Sequence, residues 1–311
     1  MAAESTGEVI YDLIVIGGGP AGLSAAMYAR RYNLKTLVIA KDYGLAADAP
    51  NIENYPGFIS ISGGDLVRKF MEHAEYYGAE IEMDEVIDVR IKDNIFEVVA
   101  SDIYKARSII IAMGTKRRTL DIPGEAEFRG RGVSYCATCD APLFRNRVVA
   151  VIGGSDAACV SSLHLSEFAS KVYQIYRRDK LRGEPINVKR VLENEKIEVI
   201  YNAVPVEIFG DMRVKGIKIR FNNGEEKILD VDGVFIEIGS IPNSQLAKKL
   251  GVEVDEEGYI EVDAGMRTNI QGVFAAGDIT TGSEKFEQIV TAVAEGALAA
   301  RSAYNYVRRN V

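Results

Sequence analysis

Cys136 and Cys139 stand two residues apart in the segment Ser134-Tyr135-Cys136-Ala137-Thr138-Cys139-Asp140. Two thiols at that spacing can clamp a metal or cycle between dithiol and disulfide. A structural metal needs further ligands, and the chain, with three cysteines and two histidines, offers no third clustered Cys or His. No metal is expected, and the pair reads as a redox dithiol. A C-x-x-C arrangement lets one sulfur attack as its thiolate. Asp140 follows directly and can give or take the proton of the exchanging thiol. The remaining cysteine, Cys159, falls in a predicted helix and reads as a small buried apolar residue. His73 and His164 also read as structural.

A second kind of chemistry is carried by glycine. Gly17-Gly18-Gly19-Pro20-Ala21-Gly22 follows the apolar run Tyr11–Ile16 and precedes an alanine-rich helical stretch from Pro20 to about Tyr32. Where a strand turns into a helix at a dinucleotide, backbone must approach a pyrophosphate, and side chains there would block it. The helix start then offers free N–H groups to the phosphates. The pattern recurs as Gly153-Gly154-Ser155-Asp156-Ala157, between the strand Val148–Ile152 and a helix to about Phe168. Ser155 stands where the second glycine is expected. The next predicted strand, Lys171–Tyr176, ends at Arg177-Arg178, with Arg182 nearby and no carboxylate at the strand end. Guanidinium groups there suit a ribose 2′-phosphate, which favours NADPH over NADH.

Elements that must position these residues follow from the pattern. A third apolar strand, Gly272–Ala276, leads into Gly277-Asp278, and a last helix runs from about Glu287 to Val307. The expected fold is α/β, with two Rossmann-like dinucleotide-binding domains, the second inserted in the first. Residues 1–116 and 244–311 form the outer domain, and 117–243 form the insert carrying the cysteines. Connectors near 115–119 and 240–244 separate them. The 311 residues carry a net charge of -8, which argues against nucleic-acid or acidic-membrane partners. No apolar run is long enough to span a bilayer, and MAAESTGEVI lacks the features of a signal peptide. The chain therefore reads as cytoplasmic.

At these residues the sequence closely resembles the low-molecular-weight thioredoxin reductases. The resemblance covers nearly the whole chain: the Gly17–Gly22 turn, Asn54-Tyr55-Pro56-Gly57, Ala112-Met113-Gly114-Thr115, the CATCD centre, Tyr176-Arg177-Arg178-Asp179, and Gly272 to Asp278. It implies a homodimer that passes electrons from NADPH through FAD to the cysteine pair, and on to thioredoxin or a glutaredoxin-like protein. Cys139 would face the flavin, Cys136 would attack the partner's disulfide, and Asp140 would handle the proton. FAD would contact Gly17, Gly19, Pro20, Ala21, Gly22, Gly44, Asn54, Val86, Ala112, Gly114, Gly277, Asp278, Glu287, Gln288 and Ile289. NADPH would contact Gly153, Gly154, Ser155, Asp156, Ala157, Arg177, Arg178 and Arg182. The two domains would rotate between a state that serves the nicotinamide and one that serves the disulfide. A helix starting near Glu287 would aim its positive end at the flavin.

The sequence departs from the family pattern at Tyr43-Gly44-Leu45-Ala46, at Ser155, at Cys159-Val160-Ser161-Ser162, at Tyr176 and at Glu287. These departures leave two alternatives open. One is the same flavin–dithiol chemistry fed by NADH, ferredoxin or another donor. The other is a flavin redox sensor without turnover.

Overall fold

In the computed structural model, which describes residues 9–49 and 51–310, the chain divides into two compact units. The first collects the chain up to residue 47, residues 52–116, and the chain from 241 on. The second comprises Asp48–Asn51 and Arg117–Ser240. The connecting segments Thr115–Arg117 and Ser240–Pro242 are short strands hydrogen-bonded to each other.

Each unit is built on a five-stranded parallel sheet. In the first, the order is Val273–Ala275, Ile109–Ile111, Leu13–Ile16, Thr36–Ala40, Glu80–Met83. The three central strands are wholly buried and, but for Thr36, apolar. A parallel sheet covered on both faces requires such runs, because neither side of the strand meets water. The helices Pro20–Arg31 and Ile289–Asn310 cover one face through an alanine-rich seam. A Cβ on Gly296 would lie 2.1 Å from the Ala21 carbonyl oxygen, so the helices approach backbone to backbone.

The second unit repeats the plan with Val133–Ser134, Gly233–Ile236, Val148–Ile152, Lys171–Tyr176 and Ile197–Tyr201, all parallel. The Asp156–Phe168 helix follows its first long strand. Two further sheets accompany the parallel ones, the first mixed and the second antiparallel. One pairs Ile10–Tyr11, Ile103–Ala106, Ile95–Val99 and Asp88–Lys92, and the other pairs Ala203–Gly210, Val214–Phe221 and Glu226–Asp230.

The run Tyr11–Ile16, expected as one strand, is split at Asp12. Tyr11 pairs with Ala106 in the four-stranded sheet, while Leu13–Ile16 joins the parallel sheet. Asp12 marks the break: its carboxylate accepts the Lys35 N–H at 2.8 Å. The last helix begins at Ile289 rather than near Glu287, because Thr291 Oγ1 bonds the carbonyls of Phe286 and Gln288 and holds the preceding segment out of the helix. Among the described residues no helix is long and apolar enough to cross a membrane.

Candidate active site and cofactor cradles

Cys136 and Cys139 form a disulfide, with Cα atoms 5.4 Å apart. The pair opens a short helix, Ala137–Asp140, of which Cys136 is the N-cap. The N–H of Cys139 donates to Cys136 Sγ at 3.2 Å. A helix start aims free N–H groups at its cap, so after reduction a thiolate on Cys136 keeps a donor. Cys136 is half-buried and Cys139 exposed. The Asp140 carboxylate makes no capping bond to the following turn, so its side chain is not committed to holding the chain.

The segment entering the motif is anchored. Tyr135 Oη donates to Glu125 Oε1 at 2.6 Å, and burial together with that carboxylate pushes the phenol's pKa up. Buried Glu125 also accepts the N–H groups of Leu120 and Asp121. Ser134 Oγ accepts the Cys136 N–H at 3.0 Å. No sequence pattern marked Glu125, whose role depends on a loop folding back.

In the first glycine turn the three glycines have distinct reasons. Gly17 has φ +118°, and a Cβ there would lie 2.2 Å from the Ala112 carbonyl oxygen. A Cβ on Gly22 would lie 2.0 Å from the Gly17 oxygen. These two are demanded by packing alone. A Cβ on Gly19 would meet nothing nearer than the Tyr43 oxygen at 3.9 Å. Gly19 is the N-cap of the Pro20–Arg31 helix and, having no side chain, leaves the space at the helix start clear. Gly44 and Gly114 also have positive φ, and a Cβ on Gly114 would meet nothing within 4 Å. Val86 is buried in the core beneath the sheet.

Past the Val273–Ala275 strand, Gly277 turns with φ +83° and its N–H donates to Glu295 Oε2 at 2.8 Å. Thr280 Oγ1 donates to the same oxygen at 3.1 Å. Glu295 is buried, so a carboxylate on the last helix fixes this loop. Its signal in the sequence was a lone charge within Ala294-Glu295-Gly296-Ala297, where the helix otherwise shows small residues. Asp278 sits beside it without a hydrogen-bond partner among the described residues, and burial, with Glu287 and Glu295 near, lifts its pKa to about 7. Asn54 Nδ2 donates to Gln288 Oε1 at 3.0 Å, joining two of the residues expected at the flavin. Ile289 is half-buried, and exposed Glu287 accepts the Tyr259 hydroxyl at 2.7 Å.

In the second turn, Gly153 has φ +149° and its Cβ would lie 2.1 Å from the Glu237 carbonyl oxygen. A Cβ on Gly154 would collide with the Tyr176 ring at 2.4 Å. Buried Gln174 donates to the Gly153 oxygen at 3.2 Å. Ser155 caps the Asp156–Phe168 helix through its backbone, with its side chain exposed and making no cap bond, and Ala157 is exposed beside it. The Asp156 carboxylate instead accepts from Glu184 N and Asn187 Nδ2, tying down the loop after the arginines. The N–H of Arg182 donates to the Gly154 oxygen at 2.7 Å, which brings that loop back to the turn. Arg177, Arg178 and Arg182 are all exposed. Cys159 is free and buried, as expected of a core cysteine.

The residues fit a flavin dinucleotide in the first unit: an open Gly19 cradle at a helix start, and an enclosed carboxylate, Asp278, that lacks a protein donor. A disulfide C-x-x-C in a chain with two dinucleotide-type turns defines the class of the pyridine nucleotide-linked disulfide oxidoreductases. The model of the pyridine nucleotide-disulphide oxidoreductase family matches residues 11–296. The thioredoxin reductase of Listeria innocua is 45% identical over 99% of this chain and 96% of that protein. A crystal structure of Lactococcus lactis thioredoxin reductase superimposes with a TM-score of 0.93 at 40% identity, covering 96% of this chain and 99% of that one. A crystal structure of T. acidophilum thioredoxin reductase gives a TM-score of 0.91 at 40% identity, covering 96% of this chain and 99% of that one. The chain belongs to the pyridine nucleotide-disulphide oxidoreductase family, among its thioredoxin reductases. Its class of chemistry is flavin-dependent disulfide oxidoreduction, with flavin and nicotinamide cofactors.

Proposed function

We propose that this chain is a thioredoxin-disulfide reductase that carries electrons from NADPH through FAD to Cys136–Cys139 and on to a thioredoxin-like protein. In this reading residues 1–116 and 244–311 hold FAD, and 117–243 hold NADPH and the dithiol. Bound FAD supplies the electron pair that opens the disulfide. Two electrons and two protons convert Cys136–Cys139 to the dithiol. Asp140 takes the proton of Cys136, whose thiolate then attacks the partner's disulfide, forming a mixed disulfide and releasing one partner thiolate, to which Asp140 returns the proton. Cys139 attacks Cys136 Sγ, the internal disulfide re-forms, and the partner leaves as its dithiol. The two units exchange placements during the cycle, and the working form is a homodimer in the cytoplasm.

The observation that carries the reading is the Cys139 N–H on Cys136 Sγ within a formed disulfide. For the donor, the support is the exposed trio Arg177, Arg178 and Arg182 at the end of the Lys171–Tyr176 strand. The test is an anaerobic titration of the flavoprotein with NADPH and NADH in parallel. NADPH should bleach the flavin within the turnover time. Flavin that stays oxidised in excess NADPH removes NADPH as donor and returns the choice to NADH, ferredoxin or another reductant.

A further inference from the structure

The two cysteine sulfurs have a third ligand-type neighbour that no motif supplied. A carboxylate oxygen of Asp48 and the Sγ atoms of Cys136 and Cys139 all lie within 4.8 Å of one another. Among the described residues no other set of three such groups comes together. All three belong to the second unit. Asp48 is held in place from several sides. Its backbone oxygen accepts from Thr138 Oγ1, and Cys136 Sγ lies 4.0 Å from the same oxygen. Arg117 NH2 pairs with Oδ2 at 3.0 Å, which leaves Oδ1 for another partner. Arg117 is itself shared with half-buried Glu237, 3.7 Å away.

We propose that the reduced dithiol and Asp48 form a three-ligand site for a thiophilic divalent cation such as Zn²⁺, and that the bound ion reversibly blocks the enzyme. The inference rests on the reductase reading only in requiring that the disulfide open. Zn–S bonds of about 2.3 Å and a Zn–O bond near 2.1 Å at tetrahedral angles place the ligand atoms about 3.6–3.8 Å apart. The Asp48 oxygen already lies within 4.8 Å of both sulfurs, which part once the disulfide opens, and a C-x-x-C pair is the usual half of a zinc site. Charge favours a cation as well, because two thiolates and a carboxylate carry three negative charges, against which the site holds the Arg117 guanidinium, itself shared with Glu237. The fourth position stays open, and exposed Cys139 gives the ion access.

The chemistry is exchange of protons for metal. A two-electron reductant opens the disulfide to two thiols, and the cation then displaces one proton from each, with no change in its own oxidation state. Neither sulfur is free to attack a partner while the ion is bound. Binding weakens as pH falls, because protons compete for both sulfurs.

The test uses the flavin-loaded protein, reduced with dithiothreitol and desalted anaerobically, then titrated with Cd²⁺ while the thiolate-to-metal absorption band is followed and Zn²⁺ is added in competition. One equivalent should bind the reduced protein and none the disulfide form. Asp48→Asn should weaken binding by at least about tenfold, Asp48→Glu should recover it, and Asp140→Asn should leave it unchanged. Retained flavin and circular dichroism check that each variant is folded. Equal affinity in Asp48→Asn, a folded Asp48→Glu that fails to recover, or absence of the band overturns the proposal. Turnover with NADPH and thioredoxin is measured separately without metal. Normal turnover without the band removes the metal site alone, and the band without turnover removes the reductase reading alone.

Discussion

The backbone N–H of Cys139 points at Sγ of Cys136, 3.2 Å away, so the two redox cysteines are not equivalent. Cys136 holds the helix cap and keeps a hydrogen-bond donor when its bond to Cys139 opens. Cys139 has the exposed position, and in the proposed cycle it re-closes the disulfide. The expected outcome is asymmetric. Cys139→Ser should accumulate a covalent mixed disulfide between Cys136 and a thioredoxin-like partner, detectable by intact mass. Cys136→Ser should trap far less. Equal trapping by both variants contradicts the assigned order.

The glycines of the first turn should separate packing from binding. Gly17→Ala adds a Cβ 2.2 Å from a carbonyl oxygen at φ +118°. We expect a loss of more than about 2 kcal/mol in stability, read by denaturant unfolding. Gly19→Ala meets only an ordinary contact, the Tyr43 oxygen at 3.9 Å, and should fold normally. It should nevertheless weaken FAD retention by about tenfold or more, because the new methyl group occupies the phosphate's approach. A Gly19→Ala protein that keeps its flavin as the parent does contradicts the cradle.

This contrast also shows what the sequence could reveal. The strand–glycine–helix pattern located both turns, since apolar runs and glycine spacing are local signals. The C-x-x-C centre and the arginines after Tyr176 were equally legible. What was not legible depends on distant chain returning to the site. Glu125 beneath Tyr135, Glu295 beneath Gly277 and Gln174 beneath Gly153 each bond a backbone or hydroxyl group more than nine residues away. Asp48 is the extreme case: 88 residues separate it from Cys136. The break at Asp12 was hidden because Tyr11 suits a strand as well as the residues beyond it, and only pairing with Ala106 distinguishes the two.

Asp278 gives a pH test with a defined sign. Its folded pKa is raised from 3.8 to about 7, chiefly by burial. Between those values the folded flavin-free protein holds a proton that the unfolded chain has released. Its contribution is therefore complete at low pH and is lost as pH rises towards 7. Asp278→Asn removes the titrating group. Relative to the parent, the flavin-free variant should be no more stable near pH 4 and more stable at pH 8, as read by thermal unfolding. The same variant should bind FAD less tightly, since a hydrogen-bond acceptor is lost. A stability difference that does not change with pH contradicts the assignment.

Glu295 holds the loop that carries Asp278. Glu295→Ala leaves the Gly277 N–H and the Thr280 hydroxyl without their acceptor, at a cost of about 3 kcal/mol. Glu295→Gln keeps an acceptor and should lose much less. Flavin content after purification should follow the same order.

In the proposed reading the arginine trio sets donor choice. Replacing Arg177 and Arg178 with glutamine should raise the KM for NADPH by about tenfold or more while leaving NADH nearly unaffected. High salt should reproduce part of the effect, because exposed guanidinium groups are screened. Parallel steady-state kinetics with both nucleotides reads this directly, and equal losses for both nucleotides contradict a 2′-phosphate site.

The central claim is catalytic electron transfer through Cys136 and Cys139 to a protein disulfide. It is tested most directly by counting thiols released from excess oxidised thioredoxin under anaerobic NADPH with a trace of this protein. The expected result is many turnovers per flavin for the parent and none above background for Cys136→Ser. Thiol release that stops at one equivalent per flavin, or that persists in Cys136→Ser, contradicts the claim.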